Sequence, residues 1–252
     1  IFCIGLVGAL QAFEEIPQAL KKNYLIPQHL TISAKNYILV DADTQTIIAS
    51  YKAEERRAPA SLTKMMSAHV VSEAIARGVL KWDDVVEVSK KAAQTPGSRI
   101  FLSAGERISV KELLRGAIIA SGNDATVALA EYIGGSESAF VDIMNEYAEK
   151  FDLKHTHFVT STGLPAKEHY STASDMAKLG LQVVQDETVY PIYAEKWFTY
   201  KDIKQNNRNR LLWRDDSVDG IKSGHTDEAG YCLVTSAKKH KMRLVGVIMG
   251  ST

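Results

Sequence analysis

The sequence has no surplus of either charge, only two cysteines, and no apolar run long enough to cross a bilayer. Thirty Lys and Arg are balanced by thirty Asp and Glu. That balance removes the electrostatic footprint that nucleic acid or an anionic membrane surface requires. The one basic cluster, Lys238-Lys239-His240-Lys241, sits between two β-rich runs and reads as a solvated hairpin turn. The longest apolar run, residues 1–10, is followed by Gln11-Ala12-Phe13-Glu14-Glu15. It matches the hydrophobic core and cleavage site of a secretory signal without its charged leader, with Ala12 as the last residue removed. Residues 1–12 are therefore expected to be a partial signal peptide, and the protein to be exported. Removal of Cys3 leaves Cys232 alone, so no internal disulfide is available and stability must come from the core. Cys232 lies in an apolar strand-like run and is expected to be a buried, inert thiol. Neither repeats nor a low-complexity linker divide the 252 residues, which suits one domain with an inserted lobe. His155-Thr156-His157 would place two imidazoles on one side of a strand, but nothing completes a ligand set, so no metal or other cofactor is expected.

What is present is a β–helix–β order. Residues 14–34 read as a lead-in. Residues 36–40 and 45–51 read as a hairpin around Asp41-Ala42-Asp43-Thr44. Residues 79–108 are loop-rich, with a short strand at 85–88. Ser109-x-x-Glu112 is a capping box before the stripe Val110, Leu113, Leu114, Ala117 and Ile118. Further helices are expected at about 124–133, around Phe140 to Tyr147, and after Thr172-x-x-Asp175. Two β-rich runs, 231–237 and 242–249, close the chain. The economical packing is α/β (α+β): an antiparallel β-sheet built from both ends of the chain, flanked by helices, with an inserted all-helical lobe. The sheet region is placed at about 30–78 and 190–252 and the lobe at about 79–189.

The chemistry is carried by three short motifs. Ser61-Leu62-Thr63-Lys64 follows Pro59 and opens a helical stripe of Leu62, Met65, Met66 and Val70 that ends near Gly78. As the first turn of a helix it puts a hydroxyl and an amine three residues apart on one face. Backbone N–H groups there favour developing negative charge, so the pair can act as nucleophile and base. A second Ser-x-x-Lys, Ser236-Ala237-Lys238-Lys239, reads as a strand end running into the basic turn. Ser121-Gly122-Asn123 falls between two helices, and Lys222-Ser223-Gly224-His225-Thr226 precedes the strand at Tyr231. Taken singly, these two read as a helix-terminating loop and as a strand bearing an exposed lysine.

Together and in that order, the motifs resemble the signature of penicillin-recognising serine enzymes. The longer stretches Pro59-Ala60-Ser61-Leu62-Thr63-Lys64-Met65-Met66, Ser121-Gly122-Asn123-Asp124-Ala125, Asn207-Arg208-Asn209 with Leu211-Leu212-Trp213, and 218–226 closely resemble the serine-type D-alanyl-D-alanine carboxypeptidases, the low-molecular-mass penicillin-binding proteins. The likeness covers about residues 30–252 and implies a β-lactamase/transpeptidase-like fold, with 13–252 as the catalytic domain. It implies that Ser61 attacks the carbonyl between two D-alanines at the end of a peptidoglycan stem peptide, with Lys64 as general base. Asn123 would orient Lys64 and the substrate amide, and Ser121 would relay a proton to the leaving amine. Lys222, with Ser223, Gly224, His225 and Thr226, would bind the substrate, and the backbone N–H groups of Ser61 and His225 would form the oxyanion hole. β-Lactams would be covalent inhibitors, and the site of action the periplasm or the outer face of the cytoplasmic membrane.

The family's second β-rich domain and its C-terminal amphipathic membrane anchor have no counterpart in this sequence. The carboxylate-binding arginine expected after the last strand would fall beyond Thr252, so the chain reads as truncated. Three other readings compete with that of a carboxypeptidase. A β-lactamase needs a water-activating Glu between the second and third motifs; Glu168, in Lys167-Glu168-His169-Tyr170, does not match that loop. Slow deacylation of penicillin is therefore expected. A D,D-endopeptidase shares every motif. The intact nucleophile and base speak against a non-catalytic binding module.

Overall fold

The two ends of the described chain pair with each other, as strands too short to be stable alone must. A computed structural model describes residues 32–252, so the signal-peptide reading of residues 1–12, Cys3 and most of the lead-in lie outside the described residues. In chain order the strands are β1 Asn36–Asp41, β2 Ile47–Tyr51, β3 Val85–Glu87, β4 Arg107–Ser109, β5 Trp197–Tyr200, β6 Ile203–Asn206, β7 Val218–Thr226, β8 Gly230–Lys239 and β9 Met242–Ser251. The α-helices are α1 Lys64–Ala76, α2 Lys90–Gln94, α3 Val110–Ile118, α4 Asn123–Gly134, α5 Glu137–Lys150, α6 Ala173–Val183 and α7 Tyr190–Tyr193. The main sheet has the order β2-β1-β9-β8-β7, antiparallel throughout. The β1–β2 turn is set by Asp41, whose Oδ1 accepts the Asp43 and Thr44 backbone N–H groups at 3.0 and 2.9 Å.

One face of this sheet buries Ile38, Val40, Ile221, Val234, Val245 and Val247. α6 lies on that face, and Gly180 permits the approach: a Cβ there would stand 3.1 Å from Val234 and Val245. The division of the chain at 189 is corrected by this packing, because α6 falls inside the span assigned to the lobe yet covers the sheet. α1 is the central helix. Its first nine residues, Lys64 to Ser72, are all buried, the polar Lys64, Ser67, His69 and Ser72 among them. It packs against α6 on one side and α3, α4 and α5 on the other. The helices α3, α5 and α6 begin at the caps their sequences specify. Ser109 Oγ accepts from Glu112 N, Ser136 Oγ from Ala139 N, and Thr172 Oγ1 from Asp175 N.

Two local readings change, and one element is added. The segment carrying Ser61 is a 3-10 turn, Ala60–Thr63, that leads into α1 at Lys64. The chain on either side of Lys201 and Asp202, unassigned from sequence, forms a hairpin, β5–β6, turning on those two residues, both with positive φ. Those two residues lack the Asn-Gly or Asp-Gly signature of such turns, which hides the hairpin in the sequence. His155 to His157 do not form a strand; His157 makes only an isolated bridge to Tyr170.

Candidate active site

A 3-10 turn has three residues per revolution, so side chains at i and i+3 eclipse. That geometry, tighter than the α-turn expected, stacks Lys64 directly on Ser61. Lys64 Nζ is 3.0 Å from Ser61 Oγ and donates to the Thr162 carbonyl at 2.8 Å. Lys64 is 1% exposed. Burial holds its pKa well below that of an ordinary lysine, the Lys222 charge lowers it further, and Asp124 opposes. An amine so placed can accept the hydroxyl's proton.

The carbonyl that holds Lys64 belongs to a turn pinned from several sides. Ser67 Oγ donates to Ser161 O at 2.6 Å, and Ser161 donates to the Glu137 carboxylate. Gly163, at φ +82°, presses on the 3-10 turn so closely that a Cβ would lie 1.8 Å from Ala60 O. His169 joins the two segments. Its Nδ1 accepts the Val159 and Thr160 N–H groups at 3.2 Å each, so the proton sits on Nε2, which donates to Thr63 Oγ1 at 2.9 Å. Burial, with a smaller contribution from His157, lowers the His169 pKa to about 4. Its folded pKa is depressed, so between about pH 6.5 and 4 the unfolded chain binds a proton that the native chain does not, and stability falls as pH falls through that window. His69, buried against Tyr147 and Phe151, is shifted in the same direction, chiefly by burial. Denaturant titrations at pH 7 and pH 5 test this. His169→Asn keeps an acceptor near the Nδ1 position and removes the titration, so it should lose less stability between the two pH values than the parent, by on the order of 2 kcal/mol.

Ser121-Gly122-Asn123 joins α3 to α4. Ser121 adopts a left-handed φ of +59° and lines the cleft. Asn123 Nδ2 donates to Pro96 O at 2.7 Å, while its buried Oδ1 has no partner. A Cβ on Gly97 would stand 2.7 Å from that Nδ2, which is why glycine follows Pro96. One expectation is corrected here: Asn123 does not orient Lys64, whose polar contacts are Ser61 Oγ and the Thr162 carbonyl.

The facing wall is β7, the edge strand of the main sheet. Lys222 is 1% exposed, so the reading of an exposed lysine on a strand fails. Its Nζ donates to Ser223 O at 3.0 Å. Burial first, and the Arg208 charge second, lower its pKa to about 7. A Cβ on Gly224 would lie 2.9 Å from Ser61 N, so only glycine lets β7 lie against the nucleophile's turn. His225 is exposed, its ring 4.3 Å from that of Tyr231. Thr226 Oγ1 accepts from Ala229 N at 3.0 Å, capping the β7–β8 turn. Ser61, Ser121, Ser223, Gly224 and His225 line a cleft of about 1310 Å³. Ser98, Phe101 and Arg208 line it too. Glu168 is exposed and lies outside that lining. Ser236 of the second Ser-x-x-Lys is fully buried and bonded to Arg243. Sequence reasoning missed Thr162, Gly163 and His169. Their one signal is the turn-forming run Ser161-Thr162-Gly163-Leu164-Pro165.

The three motifs thus meet in one cleft, as the resemblance requires. The family model described as D-alanyl-D-alanine carboxypeptidase (Peptidase S11) matches residues 23–252. The chain belongs to this family. The D-alanyl-D-alanine carboxypeptidase DacA of Escherichia coli (strain K12) is 45% identical over 256 residues, covering 98% of this chain and 62% of its own length. DacF of Bacillus subtilis (strain 168) is 42% identical over 232 residues, covering 88% of this chain and 59% of its own length. The chain therefore spans about 62% of the length of the first curated relatives it matches. Among solved structures, penicillin binding protein 5 of Haemophilus influenzae superposes with a TM-score of 0.86 at 44% identity, covering 89% of this chain and 67% of that one. The D-alanyl-D-alanine carboxypeptidase DacD of Francisella tularensis also gives 0.86, at 35% identity, covering 95% of this chain and 71% of that one. The fold of the Peptidase S11 chain is that of these penicillin-binding proteins: an antiparallel sheet and a helical lobe with the motif cleft between them.

Proposed function

We propose that the chain is the catalytic part of a serine D,D-carboxypeptidase that removes the terminal D-alanine from peptidoglycan stem pentapeptides through an acyl-enzyme. The observation that carries this is Lys64, buried, depressed in pKa and 3.0 Å from Ser61 Oγ. Ser61 attacks the penultimate D-alanine carbonyl while Lys64 takes its proton. β7 lies against the Ser61 amide at Gly224, which supports the backbone N–H groups of Ser61 and His225 as the oxyanion hole. Each such donor contributes about 10²–10³ in rate. The orphan Oδ1 of Asn123 is free to accept a substrate amide N–H. Ser121 relays the proton to the departing D-alanine, and Lys222, beside Ser223, holds the terminal carboxylate. Water then releases the acyl group. A β-lactam acylates the same serine and leaves slowly, because Glu168 lies outside the cleft lining. Cell-wall peptide lies outside the cytoplasm, and the apolar run before Ala12 supports export to the periplasm or the outer face of the cytoplasmic membrane. Among the described residues no helix is long and apolar enough to cross a membrane.

The test is release of D-alanine from a stem pentapeptide compared with cleavage of a cross-linked dimer. Faster release from the pentapeptide supports the carboxypeptidase, faster cleavage of the dimer makes it an endopeptidase, and steady, rapid nitrocefin turnover without a trapped adduct makes it a β-lactamase.

A further inference from the structure

Phe101 lines the cleft, the residue 54% exposed and its backbone left-handed, at φ +67°. Bulky L-residues rarely adopt that conformation, and residues held in it cluster where the strain serves a function. Two other non-glycine residues at this site share it, Ala60 at φ +48° and Ser121 at φ +59°. The cause is visible on either side of Phe101. The Ile100 N–H reaches both Asp124 carboxylate oxygens at 3.1 Å, and the Leu102 N–H reaches Oδ2 at 3.1 Å. Asp124 is 0% exposed, and the Ile100 and Leu102 side chains are buried. The same loop is tied to α4 by the Asn123 N–H, which donates to Ser98 O at 2.7 Å. With both neighbours turned inward and both flanking amides clamped, residue 101 must face out, and the sequence puts its largest apolar option there.

The cleft is asymmetric in charge. Lys204, Arg208, Arg210 and Arg214 line it from the segment before β7, and Lys222 of β7 is buried, at 1% exposed. The wall formed by Ser98, Phe101 and Ser121 offers two hydroxyls and a ring. A ligand whose carboxylate is taken by Lys222 has its uncharged half left for that wall. Resting on the D,D-peptidase reading, we propose that Phe101 is a specificity-determining residue, the apolar surface on which an aliphatic or aromatic side chain in the acyl half of the substrate packs.

Two substrate pairs test this in the full chain. One is Nα,Nε-diacetyl-L-lysyl-D-alanyl-D-alanine against acetyl-D-alanyl-D-alanine, read as kcat/KM for D-alanine release. The other is benzylpenicillin against 6-aminopenicillanic acid, which carries no acyl side chain, read as the acylation rate constant. Phe101→Ala should reduce the preference for the larger member of each pair at least tenfold, and Phe101→Leu should recover most of it. Phe101→Gly should lose the preference too, yet unfold at a temperature no lower than Phe101→Ala, because glycine tolerates the left-handed backbone. Equal losses on both members of a pair, or none, would overturn the proposal. Absence of D-alanine release by the parent chain would overturn the carboxypeptidase reading instead, and the penicillin pair would still decide the role of Phe101.

Discussion

A Lys64→Met chain should fold, keep its cleft, and be acylated by penicillin roughly 10³-fold or more slowly than the parent. Met matches the aliphatic stem of the lysine and removes the amine that takes the Ser61 proton. The same change should raise the unfolding temperature. Lys64 is fully buried and its folded pKa lies well below that of an ordinary lysine, with burial the largest cause and the Lys222 charge the next. Throughout the window between that depressed value and about 10.4, the unfolded chain binds a proton that the native chain does not, so the native state carries a penalty at neutral pH. Removing the amine relieves it. Gain of stability with loss of activity is what a strained functional group predicts, and loss of both is what a structural lysine predicts. The pH profile follows the same sign. The base form of Lys64 is lost as pH falls through its depressed pKa, so acylation should fall on the acid side, at a lower pH than an ordinary lysine would set. Lys222→Gln removes the second cause and should move the acid limb to higher pH. Rapid-mixing acylation rates across pH 5–9 read both effects.

Gly163→Ala should cost about 3–5 kcal/mol and lower acylation at least 10²-fold. A Cβ there would lie 1.8 Å from Ala60 O, 2.4 Å from Ala60 C and 2.9 Å from Thr63 Oγ1. Two of these atoms are backbone of the turn that carries the nucleophile, so the strain cannot be absorbed by a rotamer change. Either that turn or the Gly163 segment must move, and the Gly163 segment carries the Thr162 carbonyl that holds Lys64. Gly78→Ala is the control: it is also left-handed, at φ +70°, but has nothing within 4 Å. It should cost only the conformational part, about 1–2 kcal/mol, and leave acylation as it was. Chemical denaturation and acylation rates on the two variants separate collision from backbone preference.

The contrast between Gly163 and Ser61 explains what the sequence made legible. Ser61, Lys64, Asn123 and Lys222 are side chains whose types and spacing are written in the chain, so three short motifs in order located the cleft. The sheet was legible for the same reason, because strand alternation at both ends of the chain left each without a partner except the other. Thr162 contributes a carbonyl, which any residue could supply. Gly163 matters for what it lacks, and only the distance to Ala60 reveals it. His169 looked like one of several histidines until its two ring nitrogens were each given a partner. α6 read correctly as a helix, but its amphipathic stripe does not say which layer it faces, and it covers the sheet rather than the lobe. The 3-10 turn at Ser61 is a local tightening between Pro59 and α1 that helical spacing cannot separate from an α-turn.

The most direct test of the central claim is the intact mass of the protein after incubation with benzylpenicillin, followed by peptide mapping. The account predicts one adduct of the mass of one penicillin, on the peptide containing Ser61, persisting for minutes and absent from Ser61→Ala. An adduct on any other residue, or an unmodified protein with penicillin left intact, would contradict it.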